Sequence, residues 1–376
     1  MASENCKKAL KLLARSRNVL VSGAPGTGKS KLLAEVAEAF ETGFGISIGQ
    51  PRFKPVDGIA IPPTESGAIL DIPSPTKKDR KVFRTVFHQN SKYRDFVSGI
   101  TPAVNKNNGA TDFMITKGTL YRASEHAKTP DGASLLIIDE INRGPAVQVF
   151  GGTIVAIEPD KRLAPDGKKH TETQFFEILD PMSGNMIEYA LPHDLYILAA
   201  MNHADASVEP LDVAFLRRWE PMRLEPDERV LREFYGLGSK SVDPLPDPSR
   251  GATDALEASV RAWVSINEKI LLGRGPEFQI GHGVLMSVGS PRELAESDVL
   301  EMLCVGWSKI RAHIEEVFFG DIRGIATTLN ALDGPSFNPF KLRETTFAED
   351  LRYQIEGPAN FNEKNIYDSL RAFAKR

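Results

Sequence analysis

Apolar runs alternate with segments of helical periodicity along the first two thirds of the chain. Three runs are almost wholly apolar, as strands buried on both faces of a sheet are: residues 18–21, 134–138 and 195–201. Residues 29–40, in contrast, repeat apolar positions at helical spacing. Because buried strands that alternate with helices form parallel sheets covered on both faces, the pattern predicts an α/β fold.

Other elements of this part are marked by caps, alternation or turns. Ser3 can cap a helix that runs to about Arg15. Residues 81–87 alternate like a strand, and residues 119–128 have the pattern of a helix. Residues 175–179 and 187–190 flank the turn-rich sequence DPMSGN, which predicts a hairpin.

The last third of the chain is helical in its pattern. A linker rich in Gly, Pro and Ser at residues 236–251 marks the expected domain boundary. Beyond it, amphipathic helices are expected at residues 252–272, 297–307, 309–319 and 363–375. We therefore predict three parts, which are an α/β domain, a helical lid and a C-terminal tail. Their bounds are residues 1–240, with an irregular Gly- and Pro-rich insertion at 41–80, then 252–332 and 333–376.

Composition and charge exclude several classes of protein. The chain has 376 residues and a formal net charge of -4, which argues against a protein that coats nucleic acid by bulk attraction. Its two cysteines, Cys6 and Cys304, form neither a disulfide framework nor a zinc motif. No apolar run reaches the length of about 18 residues that a membrane span needs, and the N-terminus lacks the apolar core of a signal peptide, so we expect a cytoplasmic protein.

A glycine-rich loop follows the first predicted strand and precedes a predicted helix. It fits the P-loop pattern G-x-x-x-x-G-K-[ST] at every position: Gly23, Ala24, Pro25, Gly26, Thr27, Gly28, Lys29 and Ser30. In such loops the backbone N–H groups and the helix N-terminus surround phosphates. We expect Lys29 to reach the β- and γ-phosphates of a nucleoside triphosphate and Ser30 to bind Mg²⁺.

Polar residues follow two other apolar strands. Asp139 and Glu140 end the second strand, which is the Walker B pattern. Asp139 would support Mg²⁺, and Glu140 would polarise the attacking water. The alternative to the Walker B interpretation is that Asp139 and Glu140 only cap the next helix. Asn202 ends the third strand, beside the second, and could orient the same water.

An arginine pair, Arg217 and Arg218, closes a predicted helix after that third strand. This position suits an arginine finger, which would reach the nucleotide of a neighbouring subunit and so requires an oligomer. Surface salt bridges are the alternative for the pair.

Together these motifs resemble the AAA+ family, and within it the McrB-type motor subunits of modification-dependent restriction systems. Four passages carry the resemblance. They are FHQNSKYRDFVSGITP from Phe87, IDEINR from Ile138 with VFG and EPDKR after it, MNHAD from Met201 with LRR after it, and FQIGH from Phe278. The likeness covers residues 17–226 well and residues 275–325 thinly.

The resemblance implies a parallel-sheet AAA+ core with a helical lid, hexameric rings that hydrolyse nucleotide between subunits, and a separate nuclease partner. It also implies that Asn142 helps to position the attacking water and that Asp205 belongs to the nucleotide site. The best-known members of the group use GTP. Here His203 and Ala206 stand where the group has Thr and Arg, so both ATP and GTP stay open.

Two functions remain open at this point. One is a restriction or anti-phage motor that drives a nuclease partner. In this case the partner, and not this chain, would contact the DNA. The other is a protein-remodelling ATPase that serves a protease or another effector. The same hydrolytic residues would serve both, so the motifs alone do not separate them.

Three further residues also have two possible roles. His282 could approach the nucleotide or be structural. Lys161 and Arg162 could face a central pore or be ordinary exposed charges.

Overall fold

A computed structural model describes residues 2–43, 72–104, 111–202, 211–238, 244–286, 295–332 and 334–374. Most of the predicted insertion at 41–80 lies outside these residues, as do His203, Asp205 and Ala206. The chain divides into two compact units. The first comprises residues 1–22 and 29–223, and the second comprises residues 23–28 and 224–376.

The elements up to residue 224 mix strands and helices. The strands are β1 (Asn18–Gly23), β2 (Asp79–Val86), β3 (Ser98–Val104), β4 (Thr111–Lys117), β5 (Gly132–Asp139), β6 (Phe176–Leu179), β7 (Met186–Tyr189), β8 (Leu195–Ala200) and β9 (Glu220–Leu224). The helices are α1 (Glu4–Ser16), α2 (Lys29–Thr42), α3 (Tyr93–Phe96), α4 (Thr119–Ala127), α5 (Ala146–Phe150), α6 (Thr153–Ala156) and α7 (Val213–Leu216).

Five of the strands form one sheet in the order β2-β5-β8-β1-β9. The pairs β2–β5, β5–β8 and β1–β8 are parallel. Every residue of β8, and all of β5 except its last, is buried, because both faces of these central strands are covered. The predicted α/β fold is confirmed.

The register brings the carboxyl ends of four strands to one edge of the sheet. Val21 of β1 pairs with Ala200 of β8, and Ile138 of β5 pairs with Ala199. On the far side, Val86 of β2 pairs with Asp139. Side chains that follow β2, β5 and β8 therefore start from the same edge.

Two antiparallel hairpins stand apart from this sheet. The pair β6–β7 agrees with the hairpin predicted around DPMSGN. The pair β3–β4 was not predicted, since its residues lack a clear alternation of apolar and polar positions. Ile100, Phe113 and Met114 of this second hairpin are exposed.

The second unit is mostly helical. Its elements are α8 (Glu228–Tyr235), α9 (Ala252–Gly273), α10 (Glu296–Val317), α11 (Ile322–Thr328), β10 (Lys341–Phe347), β11 (Asp350–Glu356) and α12 (Ile366–Phe373). Trp263 of α9 and Trp307 of α10 are buried in its core, and Trp307 donates its indole N–H to the Ser259 hydroxyl at 2.8 Å. Among the described residues, no helix has both the length and the apolar character needed to cross a bilayer.

The structure differs from the prediction at one unit boundary and in one pair of helices. The units divide at residues 223 and 224 rather than within 236–251, because α8 packs into the helical core through Leu231 and Tyr235. The two helices expected at 297–307 and 309–319 are one helix, α10. No proline interrupts that segment, and the Ser308 hydroxyl bonds to the Cys304 carbonyl one turn back.

The C-terminal segment 333–376 is not a tail. Phe340, Phe361 and Phe373 are buried in the helical core, with ring centroids 5.6–6.4 Å apart. The hairpin β10–β11 precedes α12, which packs on α9. The segment is therefore part of the helical unit, because its aromatic side chains complete that unit's core.

Candidate functional site

The acidic pair lies where β5 leaves the sheet edge. Asp139 is the last residue of β5, and one of its carboxylate oxygens accepts the Glu140 N–H at 3.0 Å. Glu140 has φ 52° and ψ 44°, a left-handed conformation that is unusual for a residue with a side chain. Backbone strain of this kind persists where the surrounding structure imposes it, and it concentrates at functional sites.

Arg143 holds the Glu140 side chain. The short 3-10 turn Ile141–Arg143 follows Glu140 and brings the Arg143 Nε to 2.6 Å from Glu140 Oε2. Sequence reasoning did not single out Arg143, although it is the last residue of the IDEINR passage. Because both side chains keep part of their surface exposed, the pair contributes orientation more than stability.

Lys29 lies within the electrostatic influence of the acidic pair. It is the first residue of α2, and its pKa is lowered from 10.5 to about 8, mainly because burial disfavours the charged ammonium. The carboxylates of Asp139 and Glu140 act in the opposite direction and raise this pKa. Lys29 therefore lies in a partly desolvated site. Further negative charge there would stabilise its ammonium group.

Ser30 and Asp139 supply oxygen atoms of the kind that Mg²⁺ prefers. The Ser30 side chain is exposed and makes no hydrogen bond within the described part of the chain, and the Asp139 side chain is half-buried. Among the described residues, no group of three or more His, Cys, Asp or Glu side chains could by itself coordinate a metal ion. The residues fit a weakly held Mg²⁺ whose other ligands are phosphate oxygens and water, as is usual for this ion.

Asn142 and Asn202 are joined although they are 60 positions apart. The Asn142 side chain is 4% exposed and donates its amide N–H to the Asn202 carbonyl at 2.7 Å. Its Oδ1 atom is also buried, and no described residue donates a hydrogen bond to it. Since a buried acceptor without a donor costs roughly 1–3 kcal/mol, this oxygen is suited to a ligand or a water molecule.

The two arginines of the predicted finger have different environments. The Arg218 side chain is only 6% exposed, and its Nε lies 2.9 Å from Glu158 Oε1 at an angle that does not make a hydrogen bond. Its guanidinium also donates to the Ala214 carbonyl. Arg217 is exposed, and no ion pair or hydrogen bond ties its guanidinium to the described residues. The structure therefore separates two residues that the sequence left equivalent.

Both arginines line a cleft of about 340 Å³. Glu158, Asp160 and Glu220 are among its other lining residues. The sequence did not predict that Glu158 pairs with Arg218, although Glu158 is the first residue of the EPDKR passage. The alternative of salt bridges holds for Arg218 in part, because it pairs with Glu158, but its side chain is almost wholly buried and not at the surface.

Arg162, which closes EPDKR, does not face a pore. It is fully buried, and its guanidinium donates to Ile157 O at 3.0 Å and to Asn18 Oδ1 at 2.6 Å. Burial lowers the pKa of this guanidinium to about 9. Arg162 also donates to the Leu195 carbonyl. It thus joins the starts of β1 and β8, which is a structural role.

The glycine loop Gly23–Gly28 has one internal side-chain bond and two unpaired glycine amides. The Thr27 hydroxyl donates to the Ala24 carbonyl at 2.8 Å. Gly26 and Gly28 have φ values of 77° and 90°, and their N–H groups donate to no described residue. Backbone amides that are left unpaired in this way form a concave site for an anion. At Gly23 a side chain is excluded, because a Cβ would lie 2.3 Å from the Leu224 carbonyl oxygen.

Comparison with known proteins agrees with these features. Residues 74–219 match the family described as AAA domain (dynein-related subfamily). Over 320 residues, or 83% of this chain, the sequence is 26% identical to the type IV methyl-directed restriction enzyme EcoKMcrB subunit of Escherichia coli strain K12. Over 217 residues, or 56% of this chain, it is 30% identical to the type II restriction enzyme BsuMI component YdiS of Bacillus subtilis strain 168.

The matched regions are 56% and 57% of those two relatives, so the chain spans little more than half of their length. A crystal structure from Cytophaga hutchinsonii aligns with 85% of this chain at 14% identity, with a TM-score of 0.32, which is too low to inform fold or function. The resemblance identified in the sequence is confirmed. This chain is similar to the AAA domain family in residues 74–219 and to restriction-system subunits of the McrB type over a larger part of its length.

Proposed function

We propose that this protein hydrolyses ATP or GTP with Mg²⁺ as one subunit of a ring, and that the ring drives a nuclease partner in restriction or anti-phage defence. The observation that carries the hydrolytic part is the grouping of Lys29, Asp139, Glu140 and Asn142 at one edge of the sheet. The two restriction components among its relatives support the biological part.

Each residue at the sheet edge has a role in this proposal. Lys29 binds the β- and γ-phosphates, and its lowered pKa reports a desolvated site that gains from their negative charge. Ser30 and Asp139 hold Mg²⁺, which supplies positive charge against the phosphate oxygens. Glu140 accepts a hydrogen bond from the attacking water and polarises it towards the γ-phosphate.

The asparagines orient the same water molecule. Asn142 presents its unpaired Oδ1 as a second acceptor, and its amide is fixed by the Asn202 carbonyl. A side chain locked in this way loses little entropy when the water binds. Asn202 belongs to the same group through its position at the end of β8, and we assign Asp205 to the nucleotide site on the resemblance of MNHAD.

The ring follows from the arginines. Arg217 is exposed and has no partner in the described residues, so it is able to reach a nucleotide on a neighbouring subunit. Arg218 is bound beside Glu158 and stabilises the segment that presents Arg217. We propose a hexamer on the resemblance to McrB-type subunits alone, and the formal charge of -4 favours contact with DNA through the partner.

Hydrolysis of ATP and GTP by the wild type, Lys29→Ala and Glu140→Gln tests the proposal. We expect Lys29→Ala to abolish nucleotide binding and Glu140→Gln to bind nucleotide but turn over at least about a hundredfold more slowly. Equal turnover by wild type and Glu140→Gln would overturn the assignment of the base. Addition of DNA tests the motor, first alone and then with a nuclease if a neighbouring gene encodes one. Stimulation by unfolded protein instead of DNA would favour the protein-remodelling function.

A further inference from the structure

A turn of the helical unit lies directly against the glycine loop. Gly281 N–H donates to the Pro25 carbonyl at 2.9 Å, and Gly283 N–H donates to the Gly26 carbonyl at 2.9 Å. These two carbonyls are therefore bound from outside the loop, whereas the Ala24 carbonyl accepts the Thr27 hydroxyl from within it. Because a carbonyl and the next N–H point in opposite directions within one planar peptide group, the bond to the Pro25 carbonyl sets the direction of the Gly26 N–H, which donates to no described residue.

The approach is close enough to require glycine in the turn. A Cβ on Gly281 would lie 2.0 Å from the carbonyl carbon of Gly26 and 2.3 Å from the backbone nitrogen of Thr27. A Cβ on Gly283 would lie 2.8 Å from the Gly26 carbonyl oxygen. These contacts are with backbone atoms, so a side chain could be accommodated only if the loop moved.

Helix α9 holds the turn from behind. Asn267 accepts the Ile280 N–H on Oδ1 at 2.7 Å and donates its amide to the Ile280 carbonyl at 3.0 Å. Trp263 donates its indole N–H to the same carbonyl at 3.0 Å. Asn267, Trp263 and Ile280 are all buried, so these bonds are shielded from competition by water.

Helix α8 fixes the other side of the turn. Asp227 N–H donates to His282 Nδ1 at 3.2 Å, at the residue that caps α8. The Tyr235 hydroxyl of the same helix donates to the Leu285 carbonyl at 3.3 Å. The bond from Asp227 gives His282 a structural role.

We propose that residues 280–283 are a positioning element for the glycine loop, and that Asn267 and Trp263 are positioning residues that act on nucleotide affinity through it. The helices hold the turn, the turn holds the carbonyls of Pro25 and Gly26, and the backbone of the loop, with the free Gly26 N–H, is thereby fixed for the phosphates before nucleotide binds. Binding then requires less ordering of the loop. This inference rests on the proposed nucleotide binding.

The first test compares two glycine substitutions in the full chain. Gly281→Ala forces a methyl group against the loop, whereas a Cβ on Gly238 meets nothing within 4 Å, so Gly238→Ala is the matched control. Titration with fluorescent N-methylanthraniloyl ATP and GTP gives the dissociation constant. We expect Gly281→Ala to weaken binding by about tenfold or more, as for the loss of roughly 1.4 kcal/mol, and Gly238→Ala to leave it unchanged. A folded Gly281→Ala protein that binds as the wild type does would overturn the proposal.

A second series keeps the test open if Gly281→Ala does not fold. Trp263→Phe keeps an aromatic ring but loses the donor to Ile280, and Asn267→Ala loses two bonds to the same residue. We expect nucleotide affinity to fall in the order wild type, Trp263→Phe, Asn267→Ala, and to do so well below each melting temperature. Melting temperatures that fall in this order without a change in affinity would show a purely structural role and would overturn the proposal.

Lys29→Ala separates the two possible failures. If the wild type binds no nucleotide, the proposed function fails and this inference fails with it. If the wild type binds nucleotide and Lys29→Ala does not, but Gly281→Ala and Asn267→Ala bind normally, only the positioning element is wrong.

Discussion

Asn142 donates its side-chain amide to the backbone carbonyl of Asn202 at 2.7 Å, and its own Oδ1 has no donor among the described residues. The bond joins the turn after β5 to the end of β8, the two strands whose ends carry the proposed catalytic groups. The amide orientation is therefore set by a backbone carbonyl, so Oδ1 is the atom left for the water.

We expect Asn142→Ala to lower the turnover number by about a hundredfold while leaving the dissociation constant for nucleotide within about twofold. The reason is that Oδ1 contacts the water and not the phosphates. Steady-state hydrolysis and binding of a fluorescent nucleotide measure the two quantities. Asn360→Ala, at an exposed asparagine, is the control. A parallel loss of binding in Asn142→Ala would contradict this role.

We expect Arg217→Ala to lower hydrolysis by about a thousandfold without changing the melting temperature, because the side chain is exposed and has no partner within the described residues. Mixing these subunits with Glu140→Gln subunits should restore part of the activity, since some interfaces then contain one intact half from each variant. Hydrolysis across a range of mixing ratios checks this. No recovery at any ratio would exclude an arginine that acts between subunits.

Arg218→Ala should behave differently from Arg217→Ala. It leaves Glu158 without its nearest cation and removes the bond to the Ala214 carbonyl, so we expect a loss of about 1–3 kcal/mol in the free energy of unfolding. Glu158 keeps part of its surface exposed, which limits the loss. Urea denaturation of both variants gives the comparison. If Arg217→Ala proved the less stable of the two, the roles would have to be exchanged.

Nucleotide affinity should depend on pH through Lys29. Its pKa in the nucleotide-free protein is about 8, and bound phosphates raise it by adding negative charge. Below pH 8 the ammonium is charged before and after binding, so affinity is flat. Above pH 8 binding must take up a proton, and affinity falls by up to about tenfold per pH unit. Dissociation constants from pH 6.5 to 9.5 measure the slope. Lys29→Arg, which stays charged, should lose this slope, and an equal slope in it would assign the effect to another group.

Removal of Mg²⁺ with excess EDTA should abolish hydrolysis, and Ser30→Ala should raise the Mg²⁺ concentration needed for half-maximal activity. The Ser30 hydroxyl is exposed and makes no hydrogen bond to the described residues, so its removal leaves the fold unchanged. Ser30→Thr keeps the hydroxyl and is the matched control. Activity measured against Mg²⁺ concentration gives both values. An unchanged Mg²⁺ requirement in Ser30→Ala would remove this residue from the metal site.

Local pattern was sufficient for much of the fold. The helix capped by Ser3, the strand before the glycine loop and the hairpin around DPMSGN all lie where the sequence predicts them. Pattern was insufficient where a segment depends on distant partners. Residues 333–376 carry aromatic side chains with little periodicity, and only their packing on α9 and α10 shows that they belong to the helical core.

Sequence also could not decide between chemically identical neighbours. Arg217 and Arg218 are adjacent and alike, and the burial of one beside Glu158 depends on a segment some 60 positions earlier. In the same way, the requirement for glycine at position 281 arises from Gly26 and Thr27, which lie more than 250 positions away. Neither relationship leaves a mark within a short window of sequence.

The sequence by itself determined the glycine loop, the acidic pair after β5 and the alternation of strands and helices. Each of these is encoded within a few consecutive residues, through steric freedom at glycine or the periodicity of apolar side chains. Only the tertiary structure decided that Asn142 meets Asn202, that Arg217 and not Arg218 is exposed, and that a turn at residues 281–283 holds the loop. Those outcomes depend on which distant surfaces exclude water from one another, and that is a property of the folded chain as a whole.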